Sequence, residues 1–301
     1  MSATDGFPRY RKDVQYSDES SLNTLEYCIP RPMTRDAKQI WIVFIHGGAW
    51  RDPDVNASSF DKAQQLLMGS WECVHIAGFA SINYRLSPYP LHTRDPSYPS
   101  DPARNARHPD HVNDVLAALL HLQETFRFQD RYLLVGHSCG ATLALQVAMK
   151  RHWTSQDEST SGSKRKVVLP MAILGVEGLY DLPALVSYHL DQRIYRDFVA
   201  NAFGQDETLW SAVSPTASPF DEAWPNGKLV VLAHSRDDEL VEWEQVDRMH
   251  KTLKFQGFDE ASGERRMKLI ELNGKHDQVW QEGCELARAV RETVQVIRYV
   301  L

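Results

Sequence analysis

The sequence predicts an α/β fold in which a mostly parallel β-sheet carries helices on both faces. Two observations favour this class: apolar segments of strand length alternate with segments of helical periodicity, and a length of 301 residues suits one large domain. Hydrophobic residues make up 43% of the chain and charged residues 24%, which excludes a disordered, collagen-like or coiled-coil chain. We therefore expect residues 1–301 to form a single domain.

Six apolar segments have the length of buried strands. They are predicted at residues 40–45, 80–84, 132–135, 172–176, 229–233 and 267–272. Between them, apolar residues recur at the spacing of a helix face, most clearly in residues 111–126. Helices are also predicted at residues 142–149 and 285–300. This alternation is typical of parallel strands joined by crossover helices.

Three segments interrupt the alternation. Residues 88–109 hold six prolines and are expected to form a long loop near the mouth of a site. Residues 154–166 are polar and rich in serine, which predicts a mobile surface insertion. Residues 180–220 are longer than one crossover helix requires, so they predict a small cap, or lid, over the carboxyl edge of the sheet.

The charge balance of the chain is acidic, with 33 basic and 40 acidic residues. It argues against nucleic-acid and anionic-membrane partners, and the longest apolar run, residues 167–176, is about half as long as a membrane span. No apolar stretch near the N-terminus resembles a signal peptide, and the four cysteines form no Cys-x-x-Cys pair. These features predict a cytoplasmic protein with no disulfide framework and no zinc site, and they leave formation of a homodimer open.

Residues 136–140 read Gly-His-Ser-Cys-Gly and lie between a predicted strand and a predicted helix. This is the context in which a Gly-x-Ser-x-Gly motif forms a nucleophile elbow, a sharp turn that a Cβ atom at either glycine would obstruct. Ser138 is the predicted nucleophile. The backbone amide of Cys139 is a predicted donor to the oxyanion, while its thiol is expected to be only a neighbour.

A second glycine motif, His46-Gly47-Gly48-Ala49-Trp50, follows the first predicted strand. By analogy with the His-Gly-Gly-Gly loops of serine hydrolases, Gly48 and Ala49 are predicted to donate further amides to the oxyanion hole. Gly47 is expected to shape the turn, and His46 to hold the loop by hydrogen bonds. Trp50 is expected either to form a pocket wall or to pack in the core.

The remaining members of a catalytic triad should follow in the order acid, then histidine. The turn after the strand at 229–233 contains Asp237 and Asp238, and the common spacing His-Ser-x-x-Asp-x-x-Val favours Asp238. His276 follows the last predicted strand and is the last histidine of the chain. We therefore predict that His276 is the general base and that Asp238 orients it.

Five motifs carry a resemblance to one family within the α/β-hydrolases. They are His46-Gly-Gly-Ala-Trp50, Asn83-Tyr-Arg-Leu-Ser-Pro88, His108-Pro-Asp-His111 with Asp114, Gly136-His-Ser-Cys-Gly-Ala141 and Gly178-Leu-Tyr-Asp-Leu182. Together with the late motifs around Asp238 and His276, they resemble kynurenine formamidases, and most of all the fungal branch. The family's triad falls on Ser138, Asp238 and His276, and its glycine loop on Gly47, Gly48 and Ala49.

The resemblance implies hydrolysis of N-formylkynurenine to kynurenine and formate, a step of tryptophan breakdown towards NAD. No metal or organic cofactor is predicted, because covalent serine catalysis requires none. A small-molecule aryl formamide needs little acyl room but an aromatic slot for its leaving group, and Trp50, Tyr84 and Trp280 are candidates since each lies beside a catalytic motif. Two alternatives are a carboxylesterase for small aryl or alkyl esters and an inactive hydrolase fold that serves only in binding.

Overall fold

The computed structural model describes residues 6–32, 39–149, 166–259 and 263–300. Within these ranges eight strands form one sheet. The strands are β1 Arg9–Gln15, β2 Thr24–Ile29, β3 Ile40–Ile45, β4 Ile76–Ile82, β5 Tyr132–His137, β6 Ala172–Val176, β7 Leu229–Ser235 and β8 Arg266–Leu272. Their order in the sheet is β1-β2-β4-β3-β5-β6-β7-β8.

The sheet is mostly parallel, as predicted. Strands β3 to β8 run parallel to one another, while β2 pairs antiparallel with β4 and β1 pairs antiparallel with β2 at that edge. Each of the six predicted strand segments falls on one of the parallel strands. Strand β4 begins at Ile76, four residues before the predicted start. The prediction started too late because Gly78 interrupts the apolar run of this strand. A Cβ atom at Gly78 would lie 2.6 Å from the indole of Trp41, so this glycine makes room for a core tryptophan.

Ten α-helices are found among the described residues. They are α1 Asp61–Met68, α2 Asp110–Phe126, α3 Cys139–Val147, α4 Leu182–Tyr188, α5 Arg193–Phe203, α6 Glu207–Val213, α7 Phe220–Ala223, α8 Trp243–Phe255, α9 Gln278–Glu282 and α10 Cys284–Val300. The three predicted helices correspond to α2, α3 and α10. None of the ten has the combination of length and apolar character that a membrane span requires.

The helices cover both faces of the sheet, and the side chains of successive strand residues pack alternately into two separate hydrophobic cores. Along β3, Trp41, Val43 and Ile45 pack in the core under α2, α3 and α8. Ile40, Ile42 and Phe44 point to the opposite face, where they join the core under α1 and α10. Because both faces of β3 are buried, the strand is an unbroken apolar run rather than an alternating one.

Residues 180–220 contain α4, α5 and α6 and the start of α7. Helix α5 lies over the loop that follows β3, since the Phe203 ring packs edge-on at 5.0 Å from that of Trp50. The proline-rich segment 88–109 packs against the same helix: Asn201 donates to the carbonyl oxygen of Pro88 at 3.1 Å, and the amide of His108 donates to that of Ala202 at 2.7 Å. The polar insertion predicted at 154–166 lies, apart from Lys166, outside the described residues.

Candidate active site

Ser138 lies at the turn between β5 and α3, where the backbone is strained. It has a φ of 55° and a ψ of −126°, and its amide donates to the carbonyl oxygen of Val176 at 2.8 Å. The flanking glycines permit this turn because the chain segments approach closely. A Cβ atom on Gly136 would lie 2.1 Å from the carbonyl oxygen of Gly140, and one on Gly140 would lie 2.3 Å from that of Ile45. The local geometry is that of a nucleophile elbow.

Replacing Gly140 by alanine is expected to lower the free energy of unfolding by about 3 kcal/mol or more, because the new methyl group meets backbone atoms that have no room to move. Urea unfolding followed by circular dichroism measures the loss. Gly69→Ala is the matched control, since the nearest atom to its Cβ lies at 3.6 Å. A Gly140→Ala protein as stable as this control would contradict the close approach.

Asp238 and His276 are hydrogen-bonded to each other in the loops that follow β7 and β8. The distance from His276 Nδ1 to Asp238 Oδ2 is 2.8 Å. The other carboxylate oxygen accepts the amides of Leu240 and Val241 at 2.9 and 2.8 Å. Burial acts to raise the pKa of Asp238, but the hydrogen bond and charge of His276 outweigh it and lower the pKa below its usual value. Asp237, the competing aspartate of this turn, is exposed.

A pocket of about 410 Å³ is lined by two of the three candidate catalytic side chains. Ser138 and His276 both line it, together with Gly48 and Ala49. Among the described contacts, no hydrogen bond of 3.5 Å or less joins Ser138 Oγ to His276. Such bonds are often long in a serine hydrolase without substrate and shorten in the reacting complex.

The glycine loop after β3 brings its backbone to the pocket in an uncommon conformation. Gly48 has a φ of 90° and Ala49 a φ of 48°. Gly47 is needed for close approach, because a Cβ atom there would lie 2.9 Å from Nδ1 of His137 and 3.0 Å from Cβ of Ser138. His46 donates from Nδ1 to the carbonyl oxygen of Gly47 at 2.9 Å, a contact that holds the loop. The donor roles of Gly48, Ala49 and Cys139 stay predictions.

The thiol of Cys139 points away from the pocket. Its sulfur accepts the amide of Trp50 at 3.2 Å and lies 3.6 Å from the hydroxyl of Tyr84. Burial raises the pKa of this thiol to about 11, so it is protonated near neutral pH. Cys139 is also the first residue of α3, which leaves its amide without a partner inside the helix.

The structure does not bring the three aromatic side chains suggested from the sequence to this pocket. Trp50, Tyr84 and Trp280 are not among the residues that line the pocket. Trp50 is fully buried against α5. Tyr84 is also fully buried, and its hydroxyl donates to the carbonyl oxygens of His46 and Gly47. Trp280 packs beside the core on the opposite face of the sheet. A position beside a catalytic motif does not fix the direction of a side chain, because neighbouring residues point to different faces.

Three other aromatic residues line the pocket: Tyr89, from the proline-rich segment, and Tyr195 and Phe198, from α5. Arg51, which directly follows the glycine loop, lies beside them. The sequence did contain a signal for the α5 residues: Tyr195 and Phe198 are spaced i, i+3, which puts them on one face of a helix. No comparable pattern marked Tyr89 or Arg51.

A buried cluster of titratable groups lies behind His276. Nε2 of His137 is 3.2 Å from Oε2 of Glu177 and 3.2 Å from the carbonyl oxygen of His276. The same carboxyl oxygen lies 3.7 Å from Nδ1 of His276. Burial, followed by the negative charge of Asp238, raises the pKa of Glu177 to about 10, so Glu177 is a neutral acid near neutral pH.

Within the part of the chain that the structure describes, two groups of side chains have spacings that would suit a metal ion. His137, Glu177 and His276 form one, and Asp52, Asp54 and His92 form the other. In the first group, the atoms that could bind a metal already take part in the hydrogen bonds described above. In the second, Asp54 is paired with Arg94. The prediction that no metal is required rests on the serine chemistry and not on these clusters.

Glu177→Gln is expected to remove a pH dependence of stability. A carboxyl whose pKa is near 10 in the folded chain and 4.5 as a free group binds more protons when folded throughout that window. The free energy of unfolding should therefore fall as pH rises, by at most about 1.4 kcal/mol per pH unit. Thermal unfolding from pH 5 to 9 should show the variant similar to wild type at pH 5 and more stable at pH 9.

The exposed Glu244 provides the control for this prediction. Glu244→Gln should keep the wild-type dependence of stability on pH. Parallel curves for wild type and Glu177→Gln across the whole range would show that the carboxyl is ionised in the folded protein.

The sheet topology, the elbow at Ser138 and the histidine and aspartate at the ends of the last two strands define an α/β-hydrolase. The BD-FAE family model matches residues 29–253. The chain is 42% identical to the kynurenine formamidase-like hydrolase fscH of Fusarium equiseti, over 95% of this chain and 93% of that protein. It is 34% identical to kynurenine formamidase avaC of Aspergillus versicolor, over 90% and 95% of the two chains. The chain thus belongs to the kynurenine formamidase family, and it is a hydrolase.

Solved structures agree on the fold. The truncated carbohydrate esterase from gut microbiota superposes with a TM-score of 0.66 at 16% identity, over 99% of both chains. Esterase B from Lactobacillus rhamnosis superposes with a TM-score of 0.67 at 18% identity, over 97% of this chain and 86% of that one. At such low identity the likeness extends to the fold alone.

Proposed function

We propose that this hydrolase cleaves N-formyl-L-kynurenine to L-kynurenine and formate. The observation that carries the proposal is the 2.8 Å contact between Nδ1 of His276 and Asp238, since His276 lines the same pocket as Ser138. The names of the related fungal proteins supply the substrate, since avaC is itself named a kynurenine formamidase. The reaction would serve tryptophan degradation towards NAD.

In the first half of the reaction, His276 takes the proton of the Ser138 hydroxyl as its oxygen attacks the formyl carbon. Asp238 holds the tautomer in which Nε2 is free to accept that proton. The amides of Gly48, Ala49 and Cys139 would stabilise the tetrahedral oxyanion. The C–N bond then breaks, the leaving aniline nitrogen receives the proton from His276, and a formyl ester remains on Ser138.

In the second half, His276 takes a proton from a water molecule, and the resulting nucleophile attacks the formyl ester. The intermediate collapses with return of the proton to Ser138, which releases formate. A formyl group is the smallest acyl group, so the acyl side of the site needs little space. The leaving group is an aromatic ketone, for which the rings of Tyr89, Tyr195 and Phe198 provide apolar surface.

The segment 180–220 would then act as a cap over the site. Its helix α5 supplies Tyr195 and Phe198 to the pocket, and the hydroxyl of Tyr195 donates to the carbonyl oxygen of Leu240 at 2.7 Å. This bond ties the segment to the turn that carries Asp238. A cytoplasmic location is part of the proposal, and the four cysteines, all of which are free thiols, support it.

The test compares kcat/KM for N-formyl-L-kynurenine, followed by the absorbance of kynurenine, with kcat/KM for p-nitrophenyl acetate. We expect a preference of about 100-fold or more for the formamide, equivalent to roughly 2.7 kcal/mol of transition-state stabilisation. Ester turnover with negligible formamide turnover would make the protein a carboxylesterase with the same site.

A further inference from the structure

Arg51 is a buried cation in the wall of the pocket. Its residue surface is only 7% exposed, and it lines the same cavity as Ser138 and His276. The guanidinium carbon lies 4.0 Å from the centre of the Tyr89 ring and 5.7 Å from that of Phe198. The two rings hold the flat cation by cation–π contacts, so its position is fixed before any ligand arrives.

The guanidinium of Arg51 has no anionic partner within the part of the chain that the structure describes. Among the described residues, no carboxylate oxygen lies within 4.0 Å of a guanidinium nitrogen of Arg51, the distance limit for an ion pair. Arg104, the other arginine that is equally buried, pairs with Asp95 at 2.7 Å. Asp52 and Asp197 act on Arg51 only at longer range. A buried charge without a counter-ion is costly, and proteins keep one where a ligand supplies the missing charge.

We propose that Arg51 is the anion subsite of this pocket and binds the α-carboxylate of an amino-acid substrate. This inference rests on the proposed function, because it assigns the carboxylate end of N-formyl-L-kynurenine. A guanidinium presents two parallel N–H donors that match the two oxygens of a carboxylate. The Tyr89 and Phe198 rings that support the cation also line the pocket, so they place this anion site beside an apolar wall.

The subsite is tested with a truncated substrate. 2-Formamidoacetophenone keeps the aryl formamide and the ketone but lacks the amino-acid end. In Arg51→Gln, kcat/KM for N-formyl-L-kynurenine should fall by about 50-fold, mainly through a higher KM, while kcat/KM for the truncated formamide stays within about threefold. Arg51→Lys should restore part of the loss, since it returns the charge without the two-pronged donor. Arg196→Gln is the matched control, because Arg196 is exposed and pairs with Glu207 outside the pocket.

Equal losses for both formamides in Arg51→Gln would overturn the subsite and assign Arg51 a structural role. An unchanged KM for N-formyl-L-kynurenine would overturn it as well. Failure of the proposed function is a separate result: wild type would cleave neither formamide but would still cleave aryl esters. In that case the test compares an anionic ester, 4-acetoxybenzoate, with a neutral one, phenyl acetate. Only a loss of kcat/KM in Arg51→Gln that is confined to the anionic ester supports the subsite.

Discussion

Ser138→Ala should lower kcat for N-formyl-L-kynurenine by about 10⁴-fold or more. Removal of the hydroxyl eliminates the covalent path, and only the oxyanion donors and substrate binding remain to favour direct attack by water. The Asp238–His276 pair and the pocket wall do not depend on the hydroxyl. The variant should therefore fold and bind substrate. Kynurenine absorbance in long incubations at high enzyme concentration measures the residual rate.

Calorimetric titration of Ser138→Ala with N-formyl-L-kynurenine separates loss of chemistry from loss of binding. We expect a Kd within about threefold of the wild-type KM, if chemistry in wild type is slow relative to substrate release. Ser211→Ala, at an exposed position of α6, should keep full activity. A Ser138→Ala enzyme with more than a tenth of wild-type activity would exclude Ser138 as the nucleophile.

The central part of the fold could be predicted because its strands are buried on both faces. Strands such as β3 and β7 are entirely buried, so nearly every residue in them is apolar and the run stands out from the rest of the chain. Strand β1 was missed for the opposite reason. It lies at an edge of the sheet, most of its residues are exposed, and its sequence, Arg-Tyr-Arg-Lys-Asp-Val-Gln, carries no apolar run.

The candidate catalytic residues could be predicted because they are local to strand ends. Each lies in the turn or loop that follows a parallel strand, and parallel strands bring their carboxyl ends to one edge of the sheet. The aromatic residues of the pocket wall could not be predicted in this way, because they do not directly follow the strands of the parallel sheet. Tyr89 comes from an irregular segment, and Phe198 comes from a helix that begins far along the chain from Ser138. Only tertiary packing brings these two rings together.

Asp238→Asn should lower kcat by about 10⁴-fold and leave KM within a few fold. The shape of the side chain is kept, and one oxygen can still accept the amides of Leu240 and Val241. The atom that faces Nδ1 of His276 then becomes an NH₂ group. This donor favours the tautomer with the proton on Nε2, which can no longer accept the proton of Ser138. Single-turnover kinetics with N-formyl-L-kynurenine measures the effect on the chemical step.

Asp237→Asn is the matched control, because it makes the same chemical change one residue earlier in the same turn. Asp237 is exposed, whereas the side chain of Asp238 is wholly buried against His276. The control should keep kcat within about twofold, as surface substitutions away from a site usually do. A large loss in Asp237→Asn with normal activity in Asp238→Asn would exchange the roles of the two aspartates. Comparable activity in both variants and wild type would mean that His276 does not depend on a carboxylate from this turn.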